Sequence, residues 1–110
     1  MDLEETVFTI ISHAGNAKSM CFEALNEARV GNFDKADEFI SKAKDELNET
    51  HEIQNKMIQN EACGKKQEVS LLLVHAEDHL MAAILSKDLI KEMIEMYKEN
   101  KKYREMIINE

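Results

Sequence analysis

His75, Asp78 and His79 stand close together in an otherwise apolar run, Leu71-Leu72-Leu73-Val74-His75-Ala76-Glu77-Asp78-His79-Leu80-Met81. An imidazole nitrogen is nucleophilic at neutral pH without a separate base. It can accept a phosphoryl group as a labile N–P bond, a transfer that depends on positioning and in-line access more than on acid–base work. The competing reading of His75 is a core or subunit-interface histidine satisfied by a hydrogen bond, the fate of most buried polar groups. Asp78 could hold the His75 tautomer, pair with a cation or face solvent. If its face lies along a symmetry axis, copies of Asp78 converge, and repelling carboxylates need a hard, oxygen-binding cation such as Mg²⁺. Zinc is a different possibility, because His75 and His79 are four residues apart with Asp78 between them, although no Glu sits as the general base of an HExxH motif. A metal-binding or structural helical bundle without phosphorylation is the corresponding alternative function. No Gly-rich phosphate loop, Ser-His-Asp arrangement or CxxC pair occurs.

These residues need a helix to position them. From Val69 to Leu85 there is no Gly or Pro, and residues three and four apart share a helix face. Leu71, His75, Asp78, Ala82, Leu85 and Leu89 therefore form one stripe, with His79 beside it. A helix apolar all round is expected to be buried all round, against its own subunit and against something more, so Asp78 and His75 need compensating partners. The spacing predicts this third helix from about Gln67 to about Lys98, with a tail over 99–110 that either extends it or frays, and with Met81, Met93 and Met96 in the core. A first helix follows Asp2, an N-cap with Glu5 three residues on, and carries Leu3, Val7, Ile10, Ala14, Ala17, Cys21, Ala24 and Ala28 at heptad spacing. Gly15 within it is expected to have a packing or site reason. Gly31 ends it, and Asn32 can cap a second helix from about Phe33 to about Ala62. That helix has the apolar face Phe33, Ala36, Ile40, Ala43 and Leu47, then His51, Gln54 and Glu61 on or beside the stripe. His13 reads as a surface or packing residue.

The chain has 110 residues, no Pro, no Trp and three Gly. One all-α domain spanning 1–110 follows, an antiparallel up-down-up three-helix bundle. Three helices cannot enclose the third on every side, so an oligomer is expected. A net charge of −8 argues against nucleic acid, which needs clustered Lys and Arg. The N-terminus lacks the basic and apolar regions of a signal peptide, and no apolar run approaches the ~18 residues of a membrane span. Cys21 and Cys63 read as reduced thiols of a cytoplasmic protein.

Val74-His75-Ala76-Glu77-Asp78-His79-Leu80-Met81 resembles the active-site signature of the lactose/cellobiose-type IIA components of the bacterial sugar phosphotransferase system. The likeness extends to Gly15-Asn16-Ala17-Lys18-Ser19, to His51 and Gln54, and to Ile58-Gln59-Asn60-Glu61-Ala62, covering Val7 to Tyr97. The resemblance implies a homotrimer, a nine-helix bundle, whose partner subunits cover the third helix. It implies that His75 is phosphorylated by the general histidine phosphocarrier protein and passes the group to a cysteine of the cognate IIB component. The sugar would be lactose, cellobiose, chitobiose or a related β-glucoside, entering through a membrane IIC component. It also implies that Asp78 from three subunits meets around one divalent ion, with Mg²⁺ preferred, and places Gln54, Glu77 and His79 around the histidine. The family usually has Gln where this chain has Glu77. Glu77 lies about 200° round the helix from His75, so any approach is to a neighbour's site, where a carboxylate would repel a phosphoryl group that an amide could hold. A regulatory paralogue that signals rather than feeds a transporter would share these features.

Overall fold

In the computed structural model, which describes residues 2–109, three helices follow one another: α1 (Leu3–Arg29), α2 (Phe33–Ala62) and α3 (Leu71–Ile108). Asp2 caps α1, its Oδ1 accepting from the Glu5 N–H at 2.8 Å. The α1–α2 reversal turns on Gly31 at φ +84°, a left-handed conformation that a Cβ would strain. Asn32 does not cap α2 through its side chain. Its amide donates instead to Glu27 at 2.8 Å, tying the turn to the end of α1. Gly64, at φ +89°, opens the longer α2–α3 connection.

The third helix starts at Leu71 rather than near Gln67. Ser70 has extended backbone, and its Oγ accepts from the Leu73 N–H at 3.1 Å, the geometry of an N-cap. At the other end the tail extends the helix to Ile108. With 38 residues it runs about 57 Å at 1.5 Å per residue, close to the 65 Å long axis of the molecule.

α1 packs along both other helices, and α2 and α3 meet less extensively. The core is rich in alanine: Ala14, Ala17, Ala24, Ala28, Ala36, Ala43, Ala76 and Ala83 are buried around Ile10, Leu80, Ile94 and Val7. Small side chains let helix axes approach closely, and the larger residues fill what remains. The buried Thr50 is satisfied within its own helix, donating to the Leu47 carbonyl at 3.0 Å. His13 bridges α1 and α2, half-buried and paired with Glu46 and, at 3.2 Å, with Glu49. Gly15 has no packing partner within the chain; a Cβ there would meet nothing within 4 Å. Both cysteines are free, Cys21 in the core and Cys63 at the surface. Among the described residues no helix is long and apolar enough to cross a membrane.

α3 has two apolar faces. The face of α3 that packs into its own bundle is Leu73, Ala76, Leu80, Ala83, Ile90 and Ile94. The stripe of Leu71, Asp78, Leu85 and Leu89 lies on the opposite side and is exposed. Within one chain α3 is buried on one side only, in keeping with the expectation that three helices cannot enclose it. α1 and α2 cover only one side of α3, and the alanines mark that side because α1 comes closest there. Met81, Met93 and Met96, expected in the core, are exposed for the same reason.

Candidate functional site

α3 carries its polar residues on two flanks of the exposed stripe. At 3.6 residues per turn, His75 and His79 lie about 60° and 100° to one side of Asp78, and Met81 and Glu77 lie about the same angles to the other. The i, i+4 spacing brings the two imidazoles together: their Nε2 atoms are 3.1 Å apart, with the rings edge to face at a centroid distance of 4.4 Å. One Nε2 must carry the proton and the other the lone pair. His75 is exposed and His79 half-buried. An exposed imidazole with an oriented lone pair and a neighbouring N–H donor is equipped to attack an incoming electrophile and to hold the anionic group it gains.

On the opposite flank Gln54 reaches from α2. Its amide donates to the Glu77 carboxylate and lies 3.7 Å from the Met81 sulfur. Gln54 and Glu77 therefore form a pair of their own and do not surround His75 of the same chain. Met81 joins this group through a contact that helical spacing could not reveal, since it depends on how α2 is rotated against α3. Asp78 lies between the flanks, exposed, at the middle of the stripe. His51 and Glu61 are exposed on α2. Among the described residues no three His, Cys, Asp or Glu side chains of one chain converge to hold a metal ion. The reading of His75, Asp78 and His79 as a zinc triad within one subunit therefore lacks its geometry.

The family model described as the PTS system, lactose/cellobiose-specific IIA subunit, matches residues 5–98. The chain belongs to that family. It is 43% identical over 98 residues to the lichenan-specific phosphotransferase enzyme IIA component of Bacillus subtilis, covering 89% of each chain. The crystal structure of the PTS cellobiose-specific enzyme IIA from Bacillus anthracis superposes with a TM-score of 0.85 at 46% identity, covering 92% of this chain and 94% of that one. The IIA(chitobiose)–HPr complex of Escherichia coli contains a chain that superposes at 0.79 with 40% identity, covering 92% and 98%. As a IIA component of this family, the protein is a phosphotransfer protein of a sugar-transport phosphotransferase system.

Proposed function

We propose that His75 is the phosphorylated residue, that its donor is the histidine phosphocarrier protein, and that its acceptor is a cysteine of the cognate IIB component. The observation that carries this reading is the exposed His75 imidazole, with Nε2 set 3.1 Å from Nε2 of His79. With His79 donating, His75 holds its proton on Nδ1, and its Nε2 lone pair becomes free for attack when the His79 N–H swings away from it. That lone pair forms a bond to the phosphorus of the donor phosphohistidine. The donor's N–P bond breaks, its electron pair leaving with the donor imidazole nitrogen. In the second transfer a cysteine thiolate attacks the same phosphorus, and the electron pair of the His75 N–P bond returns to Nε2. As the group arrives, the His79 N–H turns from His75 Nε2 to a phosphoryl oxygen, an interaction absent before transfer. The E. coli relative is solved in complex with HPr, which supports a phosphocarrier of that kind as donor. Names such as lichenan- and chitobiose-specific among the relatives support cellobiose, chitobiose, lactose or a related β-glucoside as the sugar moved.

The working form is a homotrimer with the three α3 helices parallel around a threefold axis. The exposed stripe supports this: Leu71, Leu85, Leu89 and Met96 are half or more exposed along one line, an apolar face that a monomer rarely shows to water. In that arrangement the His75–His79 flank of one helix meets the Gln54–Glu77 flank of the next. The site is then completed across the subunit boundary. Asp78 would be brought to the axis from each copy. Its donor set fits a divalent ion of the Mg²⁺ type, because the ligands are carboxylate oxygens and must come from several chains. Such an ion neutralises the converging carboxylates, and the attack by His75 needs nothing from it.

The test is incubation with phosphoenolpyruvate, enzyme I and the histidine phosphocarrier protein, followed by intact mass and ³¹P NMR. Wild type gains one acid-labile phosphoryl group and His75→Ala gains none. A folded wild-type protein that stayed unmodified in that mixture would remove the carrier reading.

A further inference from the structure

The family match ends at residue 98, yet α3 continues to Ile108. Beyond Tyr97 every residue up to Asn109 is exposed except Lys98, which is held by Asp37 at 3.1 Å. This segment reaches its own bundle through Lys101, whose ammonium lies 5.5 Å from the Phe33 ring centre, and its apolar residues face elsewhere. On the side that continues the Ala83–Ile94 core face stand Lys98, Lys101 and Glu105. On the opposite side stand Tyr103 and Ile107, 60% and 71% exposed. At 3.6 residues per turn, Leu71, Asp78, Leu85, Leu89, Met96, Tyr103 and Ile107 fall within an arc of about 40°. The apolar stripe therefore runs the whole length of the helix and keeps its phase through the extension.

Over its last part the stripe adopts a coiled-coil repeat. Leu89, Met93, Met96, Asn100, Tyr103 and Ile107 are spaced 4, 3, 4, 3 and 4 residues apart, the alternation of core positions in a heptad. With Met96 and Tyr103 at d and Asn100 and Ile107 at a, Glu99 falls at g and Arg104 at e. In parallel helices a g residue faces the neighbour's e residue five positions on, so Glu99 of one chain meets Arg104 of the next with opposite charge. Asn100 is the one polar core position of the extension, the device that fixes register in such assemblies. An open groove of about 280 Å³ lined by Leu25, Arg29, Met93, Met96, Tyr97 and Asn100 flanks the start of this segment and leaves room for a neighbouring chain.

We infer that residues 99–108 are a self-association clamp: the α3 tails of three copies of this chain continue as a parallel coiled coil, in register through Tyr103 and Ile107 and joined by Glu99–Arg104 pairs. The inference rests on the trimer of the proposed function and adds the segment that holds it together. The apolar face commits to further copies of the chain because both its phase and its charge pattern are self-complementary.

Sedimentation equilibrium of the full chain and its variants over a wide concentration range tests it, with helicity by circular dichroism as the folding control. Tyr103→Glu/Ile107→Glu should raise the concentration at which trimers dissociate by roughly tenfold or more, as loss of central apolar anchors does at interfaces. Glu99→Arg and Arg104→Glu should each weaken the trimer a few-fold, in keeping with exposed ion pairs, and the double exchange should recover it. Unchanged dissociation in the apolar double variant, or no recovery in the charge exchange, overturns the clamp while leaving the trimer standing. Tail variants that keep the trimer but lose phosphoryl exchange with the carrier protein would assign the tail to that partner and equally overturn it. A wild type that sediments as a monomer throughout removes the clamp and the trimer together, whereas the His75 phosphorylation assay is independent of both.

Discussion

Replacing His79 by Ala removes a side-chain group that the structure places against the His75 imidazole, with Nε2 to Nε2 at 3.1 Å. A hydrogen bond to a charged group contributes about 1.5–3 kcal/mol. His79 is half-buried and His75 exposed, so water can replace part of what is lost and the lower end of that range applies. About 1.5 kcal/mol corresponds to roughly tenfold in an equilibrium constant. The expected outcome is therefore a phosphoryl-transfer equilibrium shifted about tenfold toward the donor phosphocarrier, with phosphohistidine on His75 hydrolysing faster. His79→Gln, whose amide can donate from a similar distance, should recover part of the shift. The assay is quenched transfer from purified phosphorylated donor, with the phosphorylated fraction read by intact mass at several donor ratios. Thermal melting guards against a general loss of structure, which is not expected from a residue outside the core. If both variants phosphorylate within about twofold of wild type and the phosphohistidine lifetimes are equal, His79 does not hold the phosphoryl group, and the pairing of the two rings is only packing.

Two further predictions concern the scaffold that carries the site. Leu80, fully buried between His79 and Met81, should cost about 2–5 kcal/mol on replacement by Ala, the range for a core leucine that leaves a cavity; urea unfolding measures it, and a loss well under about 1 kcal/mol would mean that α3 does not pack as described. Burial pushes the Cys21 thiol up from 9.0 to about 11, with Lys87 pulling slightly the other way. The folded protein holds that proton more tightly than the unfolded chain, so the contribution is whole below pH 9 and is lost as pH rises through 9 to 11. About 2–3 kcal/mol is at stake. Wild type should lose that much more stability than Cys21→Ala across this interval, and parallel pH profiles would show that the thiol is not buried in the folded state.

The three-helix order and most of the helix limits were legible because Gly31 and Gly64 are the only strong breakers between long periodic stretches. The start of α3 was not, since Gln67 to Val69 suit a helix as well as a loop and the Ser70 cap decides between them by its backbone geometry. The contact of His75 with His79 follows from spacing alone. The contact of Gln54 with Glu77 does not, because pairing between helices depends on their mutual rotation, which no local pattern encodes. Which face of α3 packs within the chain was not legible for a related reason: spacing picks out the leucines at 71, 85 and 89 more readily than the alanines at 76 and 83. Yet small residues mark the side where another helix of the same chain comes closest, and on the proposed reading the larger ones are left for surfaces that further copies supply.

If His75 is the phosphorylated residue, that division of α3 into two apolar faces explains how a small helical bundle can hold it still and still expose it. Phosphoryl transfer between proteins needs in-line access for two different partners in turn, so the nucleophile cannot be buried. It also needs a fixed imidazole, since transfer relies on positioning more than on acid–base work. A loop would give exposure without rigidity. His75 stands instead on a helix anchored on one side by Ala76, Leu80 and Ala83 against α1 and α2, and on the proposed reading by the axial stripe on the other. With both sides held, a flank between them is rigid while its His75 imidazole stays exposed within the chain. Both histidines lie on it. The chemistry of the site therefore depends on contacts that themselves do no chemistry, and variants far along the stripe should alter transfer through the position of the ring rather than through its basicity.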